Sequence, residues 1–258
     1  MEVAKIDVAS KKFEKIKDYV AEEKPLNIFI NKTQYVTIFC YPMELKELVV
    51  GHLLSEGVIK NVEEIEQITF AEGGICHISL KPTVNLDARL RLAQRLSRII
   101  PSACGGPYQP QALKRLKKIE SKLTVKAETI QNCTGNLNRM AETFRKTGGV
   151  HAAAVYMADG TLLALAEDVG RHNAVDKVIG KCALNGTNFK ECFITLSGRL
   201  SADIVLKAAR VGIPIVASIA AALDSGIEIA KKANLTLIGF VRGNRMNVYS
   251  VPERILLS

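Results

Sequence analysis

Three short segments combine glycines, cations and other polar side chains next to predicted strand ends. They are Thr-Gly-Gly-Val-His-Ala-Ala at 147–153, Glu-Asp-Val-Gly-Arg-His-Asn-Ala-Val-Asp-Lys at 167–177 and Ser-Gly-Arg-Leu-Ser-Ala-Asp at 197–203. Glycines let a ligand approach the backbone closely. Backbone N–H groups at a helix start, beside an arginine, bind anions. These residue types therefore indicate a binding site for an anionic ligand.

The first two segments also have purely structural interpretations. Residues 147–149 fit an ordinary helix C-cap before a strand that carries a half-buried His151, and this segment by itself favours that interpretation. Residues 167–177 fit a surface salt-bridge cluster. However, seven polar residues in eleven, at the junction of a predicted strand and a helix, favour a functional role for this second segment.

The third segment repeats the strand, turn, cation and helix order of the second. Ser201 has the simpler interpretation of an N-cap. Arg199 nevertheless lies in the turn before its predicted helix as Arg171 does, and turns of this kind meet at one edge of an α/β sheet. Two such turns together predict a pocket for a phosphate-bearing ligand.

The elements that must position these segments alternate between helix and strand from about residue 130 onward. The periodicity predicts strands at 151–157, 161–166, 192–196, 213–218, 235–241 and 246–251, and helices at 175–183, 201–211 and 226–232. Such alternation is typical of an α/β sheet with helices on its faces. We therefore predict a C-terminal α/β domain over residues 127–258.

The pattern of residues 1–100 predicts a smaller N-terminal α+β part. Two hairpins are expected, at 26–30 with 35–40 and at 64–70 with 75–80, and two helices, at 44–55 and 86–99. A glycine- and proline-rich loop at 101–107 contains Cys104, and a basic helix is predicted after it, at 111–123. Residues 101–126 thus connect the two parts.

The composition limits the classes of function. The 258 residues include 35 Lys and Arg against 26 Asp and Glu, a formal net charge of +9. No helix-turn-helix, ribonucleoprotein or zinc-finger signature is present. With 5% aromatic residues and no Trp, platforms for stacking single-stranded bases are scarce. We expect no nucleic-acid partner, since a small polyanionic ligand fits the charge equally well.

Neither a membrane span nor a redox motif is indicated. The longest apolar run, at 213–223, is broken by Pro214 and Ser218 and is shorter than the roughly 20 residues that a span requires. The N-terminus lacks the apolar region of a signal peptide, so we expect a cytoplasmic protein without membrane contact. The six cysteines show no C-x-x-C spacing, which argues against a thioredoxin motif or a zinc ribbon.

Taken in order along the chain, the segments resemble the formate dehydrogenase accessory sulfurtransferase family. The most diagnostic match is E-D-V-G-R-H-N-A-V-D-K at 167–177. Four further segments are similar to that family: T-G-G-V-H-A-A at 147–153, S-G-R-L-S at 197–201, G-F-V-R-G-N-R-M-N-V-Y at 239–249 and G-H-L-L-S-E-G at 51–57. The matches extend over nearly the whole chain.

The resemblance implies a cytidine-deaminase-like mixed sheet flanked by helices, and a sulfur-transfer activity. Sulfur would come from a cysteine desulfurase as a persulfide on Cys104. It would pass to the molybdenum bis(molybdopterin guanine dinucleotide) cofactor, a bound substrate destined for the catalytic subunit of formate dehydrogenase. A homodimer is implied too. The residues expected to bind the cofactor are Gly148, Gly149, His151, Asp168, Gly170, Arg171, His172, Asn173, Ser197, Gly198, Arg199, Phe240, Val241, Arg242, Gly243, Asn244 and Arg245.

Two departures from the family pattern bear on this expectation. The family's reactive loop has a C-G-x-C-G-type sequence, and Pro107 here replaces its second cysteine. This weakens a dithiol mechanism but leaves a single-cysteine relay possible, since only one sulfur must be carried. Residues 221–223 are Ala-Ala-Leu where the family usually has A-P-T, which alters the expected shape of the nucleotide pocket.

Two alternatives accompany the sulfurtransferase hypothesis. A zinc deaminase needs H-x-E and P-C-x-x-C motifs, and the run His151-Ala152-Ala153 lacks the Glu, so we expect no zinc and no deaminase activity. A carrier that binds the molybdenum cofactor without transferring sulfur stays open because of Pro107. Basic residues after Cys104 would favour the thiolate form of this cysteine. Only the family match, however, distinguishes Cys104 from an incidental loop cysteine.

Overall fold

The N-terminal part contains a hairpin and a five-stranded mixed sheet. The structure is a computed structural model that describes residues 1–93, 98–100 and 116–257. The hairpin consists of β1 (Glu2–Asp7) and β2 (Lys12–Lys17). The sheet consists of β3 (Lys24–Ile30), β4 (Thr33–Cys40), β5 (Ile65–Ala71), β6 (Ile75–Leu80) and β7 (Arg98–Ile100), in the order β5-β6-β3-β4-β7. The helices of this part are α1 (Leu45–Ser55) and α2 (Leu86–Ala93).

The C-terminal part contains a six-stranded mixed sheet. After the short β8 (Val125–Lys126), its strands are β9 (His151–Met157), β10 (Leu162–Asp168), β11 (Cys192–Leu196), β12 (Ile215–Ser218), β13 (Thr236–Arg242) and β14 (Arg245–Ser250). The order is β10-β9-β11-β12-β13-β14, in which the neighbouring pairs β11–β12 and β12–β13 are parallel and the other pairs are antiparallel. A final strand, β15 (Ile255–Leu256), pairs with β8.

Helices cover both faces of this sheet. They are α3 (Ala127–Met140), α4 (Glu142–Thr147), α5 (Arg171–Leu184), α6 (Ala202–Val211) and α7 (Asp224–Ala233). Neighbouring strand residues point to opposite cores: Phe193 packs into the core that includes α3, and Ile194 into the core shared with α5, α6 and α1. The predicted mixed α/β architecture is thus confirmed. The cytidine-deaminase-like description and the domain boundaries stay predictions. No helix in the described ranges is long and apolar enough to cross a membrane.

The helix predicted at 86–99 is wrong at its last two residues. The described helix is Leu86–Ala93, residues 94–97 lie outside the described ranges, and Arg98–Ile100 forms β7, which pairs in parallel with β4. The reason is that Ile99 and Ile100 are β-branched and favour a strand when a partner strand is present. The helical spacing of apolar residues continues beyond α2, so the sequence pattern did not reveal the change from helix to strand.

The basic helix predicted at 111–123 is wrong for the part of it that the structure describes. Residues 116–124 have no regular secondary structure. Ile119 instead donates its N–H to Ala233 O at 2.8 Å and accepts from Asn234 Nδ2 at 2.9 Å. Its side chain is buried. These tertiary contacts outweigh the helical spacing of the apolar residues. Residues 111–115 lie outside the described ranges.

Helices α1 and α5 pack backbone against backbone, joining the two parts of the chain. A Cβ added at Gly51 would lie 1.7 Å from Asp176 O, and one added at Gly180 would lie 1.9 Å from Glu47 O. Only glycine permits so close an approach. Helix packing therefore explains why a glycine is present at position 51 of the 51–57 segment, and no role in ligand binding or catalysis is needed.

A buried polar cluster holds the same interface. Asp176 accepts hydrogen bonds from Ser55 Oγ at 2.6 Å and from Lys207 Nζ at 2.9 Å, and its Oδ2 lies 3.1 Å from His52 Nδ1. Lys207 also contacts Glu56 Oε1 at 3.1 Å. All five side chains are buried. The cluster therefore links α1, α5 and α6 through interactions that no single helix provides.

We expect Gly51→Ala to destabilise the protein by about 1–3 kcal/mol or more, because the added methyl group overlaps a carbonyl oxygen of α5. Urea unfolding followed by circular dichroism measures the change. The matched control is Gly135→Ala in α3, where nothing lies within 4 Å of the added Cβ. That variant should be neutral or more stable, since alanine favours helix. Equal stabilities of the two variants would contradict the tight α1–α5 contact.

Candidate functional site

The predicted ligand-binding segments lie along one edge of the six-stranded sheet. β10, β11, β12 and β13 end there, and β9 and β14 begin there. The strand register establishes this placement, since Asp168 pairs with His151, Leu196 with Ser218, and Arg242 with Arg245. The gathering of these turns at one edge, predicted from the strand–helix alternation, is confirmed.

Ser197 joins the first and third segments. Its Oγ accepts the backbone N–H of Ala152 at 3.0 Å and lies 3.1 Å from His151 Nδ1. Burial, followed by the charge of Arg171, lowers the pKa of His151 below its ordinary value, so the ring is neutral near pH 7. The half-buried imidazole is thus held at the strand edge by a defined partner.

Gly198 joins the second and third segments. A Cβ added to it would lie 3.0 Å from Cβ and 3.1 Å from Cδ of Arg171, so the arginine stem crosses directly over this glycine. The carbonyl oxygen of Gly198 accepts a hydrogen bond from Ser218 Oγ at 2.7 Å. Three segments distant in the sequence therefore meet around His151, Ser197, Gly198 and Arg171.

Asp168 and Asn173 turn inward and hold the segment together. Asp168 is fully buried and forms an ion pair with Lys177 at 2.7 Å. Its Oδ1 also accepts from Gly170 N and from Asn173 Nδ2, both at 2.9 Å. Burial raises the pKa of Asp168, and Lys177 offsets only part of this effect. Asn173 further donates to Phe39 O at 2.8 Å. Both side chains are thus engaged inside the protein.

His172 is buried next to this edge. The residue is 4% exposed, and neither ring nitrogen has a hydrogen-bond partner among the residues that the structure describes. Burial, followed by the charges of Arg171 and Lys207, lowers its pKa to about 3. The ring is therefore a neutral imidazole.

The 240–245 segment forms a strained hairpin at the other end of the edge. Phe240 has φ +52° and donates its N–H to Ala220 O at 3.0 Å. A left-handed conformation is unusual for so bulky a residue, and such strain concentrates at functional sites. Arg242 donates Nε–H to Ile219 O at 2.7 Å, with its guanidinium 5.7 Å from the Phe240 ring centroid.

The remaining predicted residues divide between exposed and structural positions. Val241 is buried. Gly148, at φ +64°, caps α4, which confirms the C-cap interpretation for that residue. Ser201 occupies the N-cap position of α6 without a side-chain capping bond. Exposed at the edge are Gly149, Arg199, Arg242, Gly243, Asn244 and Arg245.

Three residues at this edge were not among those expected to bind the cofactor, although Glu167 lies in the predicted 167–177 segment. Ser218 Oγ donates to Leu196 O at 3.0 Å as well as to Gly198 O. Gln131 Nε2 contacts Gly243 O and lies 3.3 Å from Asn244 Oδ1. Glu167 accepts from Phe144 N at 2.7 Å and Thr143 N at 3.0 Å, which fixes the start of α4. Of the three, Ser218 could have been predicted from the sequence, because it lies at the end of a predicted parallel strand.

Cys104 lies outside the described residues. The five described cysteines are all buried. Burial raises the pKa of Cys40, Cys76 and Cys192 to about 12, and that of Cys133 and Cys182 to about 11. Because the thiolate is the reactive form, none of these five is suited to carry sulfur at neutral pH.

Comparisons with known proteins identify related chains. The model of the FdhD/NarQ family matches residues 21–256. "Sulfur carrier protein FdhD" of Bacillus subtilis is 38% identical over 245 residues, covering 93% of this chain and 92% of that protein. The protein of the same name from Methanothermobacter thermautotrophicus is 37% identical over 242 residues, covering 94% of this chain and 93% of that one.

A solved structure is also similar over almost its whole length. It is described as a formate dehydrogenase accessory protein from Desulfotalea psychrophila. The TM-score is 0.81 at 28% sequence identity, and the match covers 99% of this chain and 98% of that one.

Proposed function

The chain belongs to the FdhD/NarQ family, whose curated members are named sulfur carriers, and on that premise we propose a persulfide relay. Cys104 receives sulfur from a cysteine desulfurase. The sulfur then passes to the molybdenum bis(molybdopterin guanine dinucleotide) cofactor, held as substrate at the sheet edge. The loaded cofactor is destined for the catalytic subunit of formate dehydrogenase. We also propose that the carrier acts as a homodimer.

The state of the other cysteines supports Cys104 as the carrier. A persulfide relay requires an accessible thiolate. The five described cysteines are buried, and their pKa values are raised to about 11 or 12. Cys104 is the one remaining cysteine of the sequence, and it is followed by Lys114, Arg115, Lys117 and Lys118. This is the observation on which the assignment of the sulfur-carrying residue rests.

The position of β7 supports the meeting of sulfur and cofactor at one place. Ile100 pairs with Ile38 in β4, and the next residue of β4, Phe39, is bound to Asn173 of the sheet-edge segment. Cys104 is four positions after Ile100, with residues 101–103 between them. Four Cα-to-Cα steps span at most about 14 Å. This short connection to a strand beside β4 favours a meeting of Cys104 and the ligand on this side of the protein.

The spacing of the cations supports a ligand with several phosphates. Arg199 follows β11, and Arg242 and Arg245 lie on the β13–β14 hairpin, two strands away. Two strand spacings are about 10 Å. Arg171 lies at the start of α5, and its side-chain stem packs over Gly198, next to Arg199. A guanine dinucleotide, with its pyrophosphate, is long enough to contact more than one of these groups, and arginine suits pyrophosphate.

The alternative is a carrier that holds the same cofactor without transferring sulfur. Pro107, in place of the second cysteine, favours this alternative over any dithiol mechanism. It uses the same sheet edge but assigns no chemical role to Cys104. The two proposals therefore differ only in what a change at Cys104 does.

We expect guanosine diphosphate to bind and adenosine diphosphate to bind poorly, as measured by titration calorimetry. Arg199→Ala or Arg245→Ala should weaken guanosine diphosphate binding by about 10- to 100-fold, since a charge-assisted contact contributes about 1.5–3 kcal/mol. The control is Lys231→Ala, which removes an exposed charge in the last turn of α7, at the opposite edge. Equal affinity for both nucleotides, or equal losses in all variants, would contradict the proposed site.

A further inference from the structure

We propose that Ser197 locks His151 as a neutral imidazole with its proton on Nε2, and that this Nε2–H donates a hydrogen bond to a phosphate oxygen of the ligand beside Arg171. The inference rests on the proposed nucleotide site at the sheet edge. It specifies how His151, one of the expected cofactor-binding residues, would recognise a phosphate: through a neutral donor rather than through charge.

Hydrogen-bond accounting around Ser197 assigns the tautomer. A serine hydroxyl has one proton to donate and two lone pairs. Ser197 Oγ already accepts the N–H of Ala152 at 3.0 Å, and His151 Nδ1 lies 3.1 Å away on the same oxygen. The second lone pair could accept from a protonated Nδ1, but the hydroxyl proton would then have no acceptor among the described residues. The arrangement that uses this proton within the protein makes His151 Nδ1 the acceptor. A neutral imidazole with an unprotonated Nδ1 carries its proton on Nε2.

The surroundings keep the ring neutral. Burial and the nearby charge of Arg171 both disfavour the imidazolium and hold the pKa of His151 below its ordinary value. At pH 7 the ring is therefore a hydrogen-bond donor without charge. Arg171 supplies the charge, and its stem is fixed over Gly198, the residue next to Ser197.

The location of the pair indicates a phosphate as the acceptor. His151 is half-buried at the start of β9, on the edge that also carries the α5 start and exposed arginines. Among the described residues, the His151 ring has a hydrogen-bond contact only at Nδ1. A phosphate bound beside Arg171 would supply the acceptor for Nε2–H. The contact between Ser197 and His151 also gives the two segments a joint role: Ser197 of the 197–203 segment orients the His151 donor of the 147–153 segment.

Two substitutions of His151 distinguish a ligand donor from a structural role. Asparagine places its amide near the position of Nδ1 and retains the contact with Ser197, but it has no group at the position of Nε2. Glutamine reaches the Nε2 position and offers an N–H donor there. We expect His151→Asn to weaken pyrophosphate and guanosine diphosphate binding about tenfold or more, and His151→Gln to weaken it much less.

The reverse order of affinities, or equal binding by wild type and His151→Asn, would overturn the inference while leaving the nucleotide site intact. Absence of binding to the wild type would instead remove the nucleotide site itself, and the inference with it. Nitrogen-15 NMR of the imidazole provides a second readout. The wild type should show one tautomer, protonated on Nε2, and a shift of that nitrogen when pyrophosphate is added. Ser197→Ala should show a mixture of tautomers, and an Nδ1-protonated ring in the wild type would overturn the proposal.

Discussion

Cys104→Ser, coexpressed with a dependent formate dehydrogenase in cells that lack their own accessory protein, should leave the dehydrogenase without activity above background. A serine hydroxyl cannot hold sulfane sulfur, so the relay stops at its first step. The variant should still bind guanosine diphosphate as the wild type does, because the proposed phosphate contacts lie on other segments. Activity of the dehydrogenase in cell extracts and calorimetry of the purified variant give the two results.

The matched control is Cys133→Ser in α3. Cys133 is buried, and its raised pKa makes it a poor nucleophile, so this variant should support normal dehydrogenase activity. A pure cofactor carrier predicts a different result for Cys104→Ser, which would stay active. Under either proposal, Arg242→Ala or Arg245→Ala should abolish function through lost binding. Full activity of Cys104→Ser would therefore refute the relay and favour the carrier.

Asp176→Ala should lower the free energy of unfolding by about 3–5 kcal/mol, the second large effect that we expect. Among the described residues, removing this carboxylate leaves the buried Lys207 ammonium in an ion pair with Glu56 alone. Ser55 Oγ loses its 2.6 Å bond to Asp176 and keeps only the longer contact with His52 O at 3.2 Å. Urea unfolding measures the loss. The control is Glu228→Ala, which breaks an exposed pair with Lys232 and should cost less than about 0.5 kcal/mol.

The same cluster predicts a pH dependence. Burial favours the neutral acid, but the charge of Lys207 and the hydrogen bond from His52 outweigh it and hold the pKa of Asp176 below its ordinary value. Its contribution to stability is therefore complete above the unfolded-state pKa of about 3.9 and is lost as the pH falls through the lower folded-state value. The stability difference between the wild type and Asp176→Ala should thus shrink below about pH 4. A difference that grows on acidification would contradict this.

The sheet and the shared edge of its polar turns were predictable because they depend on local pattern. The predicted strands at 151–157 and 192–196 coincide with β9 and β11, and each of these strands is almost wholly buried. The alternation of strand and helix was sufficient to predict that Arg171 and Arg199 lie at the same edge, because this prediction requires no tertiary contact to be known. Such predictions need only periodicity and the handedness of the connections.

The direction of individual side chains was not predictable, because it depends on partners distant in sequence. Asp168 was expected at the ligand but is buried against Lys177, and its neighbour Asn173 binds Phe39 O, 134 residues away. Gly51 is explained by the backbone of α5, which no pattern within 51–57 reveals. The irregular structure around Ile119 likewise depends on contacts with Ala233 and Asn234.

Intact-protein mass spectrometry, after incubation with a cysteine desulfurase and cysteine, tests the relay most directly. The wild type should gain the mass of one sulfur atom, and a reductant should remove it, since a persulfide is reducible. Cys104→Ser should gain nothing, whereas Cys133→Ser should gain as much as the wild type. A wild type that takes up no sulfur, or a sulfur gain that persists in Cys104→Ser, would contradict the account.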